Sequence, residues 1–150
     1  MDQTPGSDRS PYLVGPDEGE PQPLASLILR VSSEQTGGSF EIFEARAPED
    51  GAPVAAPPPH VHSEHQTAFY VLAGRVTFVL GEDETVAPEG AFVVVPPGIR
   101  HSFRPEPGAR LLILTTPAGL EGFFRSLGAR RLGDESGAVL EARPSGPEDA

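Results

Sequence analysis

The sequence predicts an all-β sandwich or barrel, and three observations predict it. Short apolar or alternating runs recur at close, regular spacing along the middle of the chain. Clusters of Gly and Pro separate them, as hairpin turns and strand ends require. A helical apolar period appears over one segment alone, near the C-terminus.

The segments follow in order. Residues 1–23 carry Pro5, Pro11, Pro16, Pro21 and Pro23 among Gly, Asp and Glu, a composition expected of a loose or surface-wrapping arm. Leu24 to Ser33 (LASLILRVSS) reads as a first strand. After the Gly37-Gly38 turn, SFEIFEARA at 39–47 sets Phe40, Ile42 and Glu44 on one face and Glu41, Phe43 and Ala45 on the other. EDGAPVAAPPP at 49–59 is a Pro-rich loop, because Pro removes a ladder donor and holds an extended path. Strands then come quickly: His60–His62, Thr67–Leu72, Arg75–Leu80, Glu84–Ala87, Ala91–Val95, His101–Arg104 and Arg110–Thr115. Residues 118–127 (AGLEGFFRSL) align Leu120, Phe123, Phe124 and Leu127 on one helical face, with Gly128 as a stop. From 129 to 150 the chain weakens into Gly, Glu, Asp and Pro, as a tail does. The organisation expected is therefore an arm (1–23), a barrel with a closing helix (24–128) and a tail (129–150).

Composition narrows the function classes. At 150 residues the chain reads as one domain, able to bury about two-thirds of its unfolded surface without a disulfide. The absence of Cys excludes disulfides, thiolate metal sites and a Cys nucleophile. All 11 basic residues are Arg against 22 acids, a net charge of −11 that repels phosphate backbones, so nucleic acid is not an expected partner. The apolar runs at 91–95 and 111–114 are too short to span a bilayer, and MDQTPGSDRSPYLV lacks the features of a signal peptide. A cytoplasmic protein with no membrane association is the expectation. No phosphate loop, G-x-S-x-G elbow or H-E-x-x-H helix occurs.

The chemistry-bearing pattern is made by three of the four histidines: His60 and His62 as H-V-H, and His101 in PPGIRHSF. Residues i and i+2 of a strand share a face, so H-x-H aims two imidazoles at one point, and a third from a neighbouring strand completes a facial nitrogen set. Neutral imidazole ligates zinc, iron, copper and nickel. His65 falls in the loop before the next strand, where a solvated side chain is expected; the sharper alternative swings it inward. Glu64 shares parity with the H-x-H pair and is a further candidate. Along AFYVLAG, Thr67, Phe69 and Val71 share one face, and Phe103 shares that of His101.

These segments resemble the cupin superfamily. PPPHVHSEHQTAFYVLAG is similar to its first motif, G-x5-H-x-H-x(3,4)-E-x6-G, with His60, His62 and Gly74 in place, Thr67 where the family has Glu, and Val54 where the leading Gly would fall. GAFVVVPPGIRHSFRP resembles the second, G-x5-P-x-G-x2-H-x3-N, with Gly90, Pro96, Gly98 and His101 matching and Pro105 replacing Asn. The resemblance spans about residues 24–128. It implies a double-stranded β-helix, or jelly-roll barrel, closed by a short C-terminal helix. It further implies one divalent transition metal (Fe, Mn, Ni, Cu or Zn) on His60, His62 and His101, and a homodimer. Small bacterial cupins of the quercetin-2,3-dioxygenase type are the most similar. They suggest dioxygenase chemistry on a small enolic or aromatic substrate with dioxygen, in a pocket lined by Phe69, Phe103 and Val71, with Thr67 and His65 as catalytic candidates. Two alternatives stand beside it: non-redox metal-dependent cyclisation or isomerisation, and non-enzymatic small-molecule binding.

Overall fold

The structure, a computed structural model, describes residues 10–22, 26–52, 58–120 and 140–142. Among the described residues there are eleven strands: β1 (Glu20–Pro21), β2 (Leu27–Val31), β3 (Glu41–Arg46), β4 (His60–His62), β5 (Gln66–Ala73), β6 (Arg75–Leu80), β7 (Asp83–Pro88), β8 (Phe92–Val95), β9 (His101–Pro105), β10 (Arg110–Thr116) and β11 (Leu140–Ala142). They form a six-stranded sheet, β1-β2-β3-β10-β5-β8, and a five-stranded sheet, β11-β4-β9-β6-β7. The pairs are antiparallel except β11 with β4, which is parallel. This is the all-β architecture of two sheets that the strand pattern predicts.

Alternation puts one side of each strand inside. Thr67, Phe69 and Val71 of β5 are buried while Ala68, Tyr70 and Leu72 are partly exposed. Along β3, Glu41, Phe43 and Ala45 point inward, so that Phe43 meets Ile113 of β10, which in turn meets Phe69 of β5. Phe69, Phe78 and Phe103 pack edge-on and tilted at ring separations of 5.0, 5.5 and 6.4 Å, the aromatic heart of the core. On the outer surface Phe92 is 71% exposed and stacks on Tyr70.

Two short strands fall where the sequence suggested none. β1 lies in the N-terminal arm and pairs with β2, and Pro21 is tolerated there because the strand is at an edge. The arm is held by Arg30, whose guanidinium donates to the backbone carbonyls of Gly15, Pro16 and Glu18. β11 comes from the expected tail and covers the other flank of β4. The helix expected over 118–127 falls from 121 onward outside the described residues.

Glu44 faces outward yet is nearly buried, beneath Arg46, Arg110 and Arg30 at 2.7, 2.8 and 3.7 Å. The Arg46 hydrogen bond, aided by Arg110, holds its carboxyl below the ordinary range against the opposing effect of burial.

Gly74 separates β5 from β6 with φ at +76°, and a Cβ there would meet Ala109 Cα at 3.0 Å. Gly81 has a similar φ of +65° but open space around it. Gly81→Ala should therefore cost about 1–2 kcal/mol from the left-handed backbone alone. Gly74→Ala should cost clearly more, because it also pushes on a neighbouring backbone. Urea denaturation of the two variants checks this, and equal losses would show that the contact with Ala109 imposes no constraint.

Candidate metal centre

Antiparallel pairing of β4 with β9 makes His60 and His101 direct cross-strand partners. The two-residue period of β4 then puts His62 on the same inward face. The ring centroids lie 4.4 Å (His60–His101), 4.6 Å (His60–His62) and 4.9 Å (His62–His101) apart. The loop that delivers His101 is stiffened by Pro96 and Pro97 and turns at Gly98, where φ is +85°. The Gly98 N–H donates to the His62 carbonyl at 2.9 Å, fastening that loop to β4.

Hydrogen bonds orient the rings. Nδ1 of His60 is 2.7 Å from the Pro58 carbonyl, and Nδ1 of His101 is 2.9 Å from that of Ile99. A carbonyl only accepts, so each Nδ1 carries the proton and each Nε2 carries the lone pair. This is the outer-shell arrangement that fixes metal-ligating histidines. One ligand atom from each of the three rings lies within 4.8 Å of the others. A small adjustment of rotamers brings such a set to the spacing of about 3.4 Å that tetrahedral sites with bonds near 2.1 Å demand.

Burial keeps these rings neutral. It pushes His60 down to about 3, with the nearby His101 adding to the effect and the Pro58 bond opposing it. Burial is also the leading cause for His62, assisted by His60, His101 and His65, and for His101, where the Ile99 bond works against it. A cluster of neutral imidazoles suits a divalent cation, because binding need displace no protons. The donor set therefore fits a divalent metal, and nitrogen-only coordination leaves the ion's identity open.

The other candidate residues distribute as follows. His65 is buried, at 1% exposure, which corrects the solvated-loop expectation. Its Nδ1 donates to the Pro117 carbonyl at 2.7 Å, directly beyond the β5–β10 ladder, and this long-range bond is what draws the ring inward. It stands 6.1 Å from His62, outside the three-ring set. Glu64 is exposed and likewise outside it. Thr67 is buried at 2% on the inward face of β5. Phe69 lies 6.3 Å from the His101 ring, while Phe103 and Val71 are fully packed within the core.

Sequence reasoning missed Glu41. Its carboxylate is wholly buried and accepts from Thr115 Oγ1 (3.3 Å), Gly119 N (2.9 Å) and Leu120 N. Register places Glu41, Thr115, Thr67 and Val95 in one row across β3, β10, β5 and β8. The signal was present: Glu41 is in phase with Phe43 and Ala45, an acid at a core position.

Comparison with known proteins adds to this geometry. The family profile described as Cupin domain matches residues 51–115. The chain is 28% identical over 121 residues to quercetin 2,3-dioxygenase of Bacillus subtilis (strain 168), covering 79% of this chain. It spans only about a third (35%) of the length of that curated relative. Among solved structures, Pac13 of Streptomyces, a nucleoside dehydratase, aligns with a TM-score of 0.56 at 18% identity, over 73% of this chain and 84% of that one. KdgF from Halomonas sp. aligns with a TM-score of 0.50 at 18% identity, over 74% and 91%. At such identities these two likenesses concern the fold alone. No helix among the described residues is long and apolar enough to cross a membrane.

The depressed basicity of the three rings has a measurable consequence. Unfolded histidines take up protons near 6.5, whereas burial lowers all three rings, His60 to about 3. Below 6.5 the unfolded state binds more protons, so the stability of the metal-free fold falls as pH falls. For a ring lowered as far as His60 the loss should approach about 1.4 kcal/mol per pH unit between pH 6 and 5, above the range where ordinary carboxylates titrate. Chemical denaturation at pH 7, 6 and 5 checks it, and a flat profile would contradict burial of neutral rings.

Proposed function

We propose that this chain, which belongs to the cupin superfamily, is a metal-dependent oxidoreductase of the dioxygenase type acting on a small enolic or aromatic substrate. The observation that carries the reading is the convergence of His60, His62 and His101 as buried, neutral imidazoles, with His60 and His101 oriented by backbone carbonyls. The similarity to a quercetin 2,3-dioxygenase supports the choice of reaction class. A divalent transition metal held by these rings would supply a Lewis-acid centre with open positions and, where redox-active, a partner for dioxygen.

The protein's own residues set the conditions for that chemistry. Three neutral ligands leave the centre one unit more positive than a set containing a carboxylate, which favours an anionic substrate oxygen. Phe69 lies against the His101 ring on its core side, with Phe103 and Phe78 packed behind it, so the wall on that side is apolar. Thr67 fills the space of a carboxylate without supplying charge.

A second reading rests on that same residue. With no carboxylate at Thr67 to move a substrate proton, the site also suits non-redox Lewis-acid work such as cyclisation, isomerisation or dehydration. Metal analysis after anaerobic purification separates the readings: a redox-active ion with oxygen uptake supports the first, and zinc alone supports the second.

The ligand assignment is tested by His60→Ala and His101→Ala. Each should lower metal content by at least about tenfold while circular dichroism keeps its β signature. Normal metal content in both variants would remove the site. Thr67→Glu should tighten metal binding by adding an anionic ligand, and an unchanged affinity would show that the residue 67 side chain does not reach the centre.

A further inference from the structure

Two buried polar atoms, one on the ring next to His62 and one two residues further along the chain, have no hydrogen-bond partner among the described residues: Nε2 of His65 and Oγ1 of Thr67. Such atoms cost about 1–3 kcal/mol each when left unmade, so Leu and Val would serve the barrel better as filling. Their chemistry is complementary. His65 gives its Nδ1 proton to the Pro117 carbonyl, so the neutral ring presents a lone pair at Nε2. Thr67 has a hydroxyl proton to give.

His65 is also held firmly in this state. The segment bearing Pro117 is bound to the strand opposite by four contacts. Thr116 Oγ1 donates to the Ser39 carbonyl at 2.8 Å, and Ala118 N donates to that of Gly38 at 3.0 Å. The N–H groups of Gly119 and Leu120 donate to the Glu41 carboxylate. Glu41 thereby acts as a positioning residue: it fixes the loop whose carbonyl fixes the His65 tautomer. A ring needed only to fill space requires no such support.

The location separates this pair from the ligands. His65 lies 6.1 Å from His62, against 4.4 to 4.9 Å within the three-ring set. Residues 65 and 67 share the inward side of the chain, so a molecule held at the three rings and extending past His62 toward His65 would meet both atoms.

We infer that His65 and Thr67 form an acceptor–donor pair that grips a hydroxyl next to the metal-binding oxygen of the substrate. The inference rests on the metal-dependent reading above and names its substrate class: an oxyanion with a vicinal hydroxyl, as in a catechol or a hydroxy-enol. His65 Nε2 accepts from that hydroxyl, and Thr67 Oγ1 donates to the oxygen beside it. No bond in the substrate is made or broken by this contact.

The test uses metal-loaded full-length protein, with 4-nitrocatechol as chelating probe and azide as a probe of the metal alone. Thr67→Val keeps shape and removes the donor. His65→Asn keeps an N–H for the Pro117 carbonyl and removes the inward acceptor. Each variant should retain wild-type metal content and azide affinity while binding 4-nitrocatechol about tenfold more weakly. Unchanged 4-nitrocatechol affinity in both would overturn the inference, leaving the two atoms to an ordered water. Loss of metal in His65→Asn would overturn it too, by making His65 a ligand. Nitrogen NMR of the metal-free wild type is an independent arm: His65 protonated at Nδ1 is expected, and protonation at Nε2 alone would overturn the acceptor role. Failure of the wild type to take up metal would remove the metal reading itself, and the tautomer measurement would still decide what His65 presents.

Discussion

Four imidazoles buried inside one barrel are the constraint around which the surrounding loops are organised. An imidazole taken from water needs its N–H satisfied, and the fold supplies carbonyls for three of them: Pro58, Ile99 and Pro117. Two of these lie only two residues from the ring they serve, on segments rich in Pro that leave carbonyls free of ladder bonding. The third, Pro117, lies just beyond the β5–β10 ladder, on the neighbouring strand's extension, and serves His65. Satisfying the protons in this way turns lone pairs inward, so the requirement of burial and the requirement of ligation are met by one set of bonds.

The fold explains why His65 differs from the other three. His60, His62 and His101 sit on paired strands, where register alone makes them converge. His65 precedes β5 and has no register of its own; its position depends on the segment after β10, which depends in turn on Glu41. Register thus positions the three converging rings, and a chain of hydrogen bonds positions the fourth. A perturbation of β3 at Glu41 would reach His65 without touching the metal set.

The strand pattern and the three-ring set were legible because both rest on local rules. A period of two marks an inward face, Gly and Pro mark the turns, and H-x-H followed by a distant His in a Pro-Gly loop marks convergence. The burial of His65 was not legible, because it is drawn inward by Pro117, 52 positions away. Likewise β1 and β11 carry no apolar signal strong enough to stand out: Glu20–Pro21 is short, and Leu140–Ala142 lies in a polar surrounding, so partner strands define both. Glu41 was visible as an acid in phase with Phe43, but its purpose could not be read without knowing where Gly119 and Leu120 come to rest.

The barrel interior therefore does contain a carboxylate, although none stands at Thr67. Two strands along the same row, Glu41 directs Oε1 to two backbone N–H groups and the Thr115 hydroxyl. An oxygen engaged by three donors is a poor metal ligand, since its lone pairs are already directed at fixed protons. Moving the interior acid from β5 to β3 thus changes its role from coordination to support. The same displacement leaves the three-ring set electrically neutral, so any charge balance at a bound cation falls to the substrate. A cation held there would have no charged protein ligand, which is the physical ground for proposing an anionic, chelating molecule at this centre.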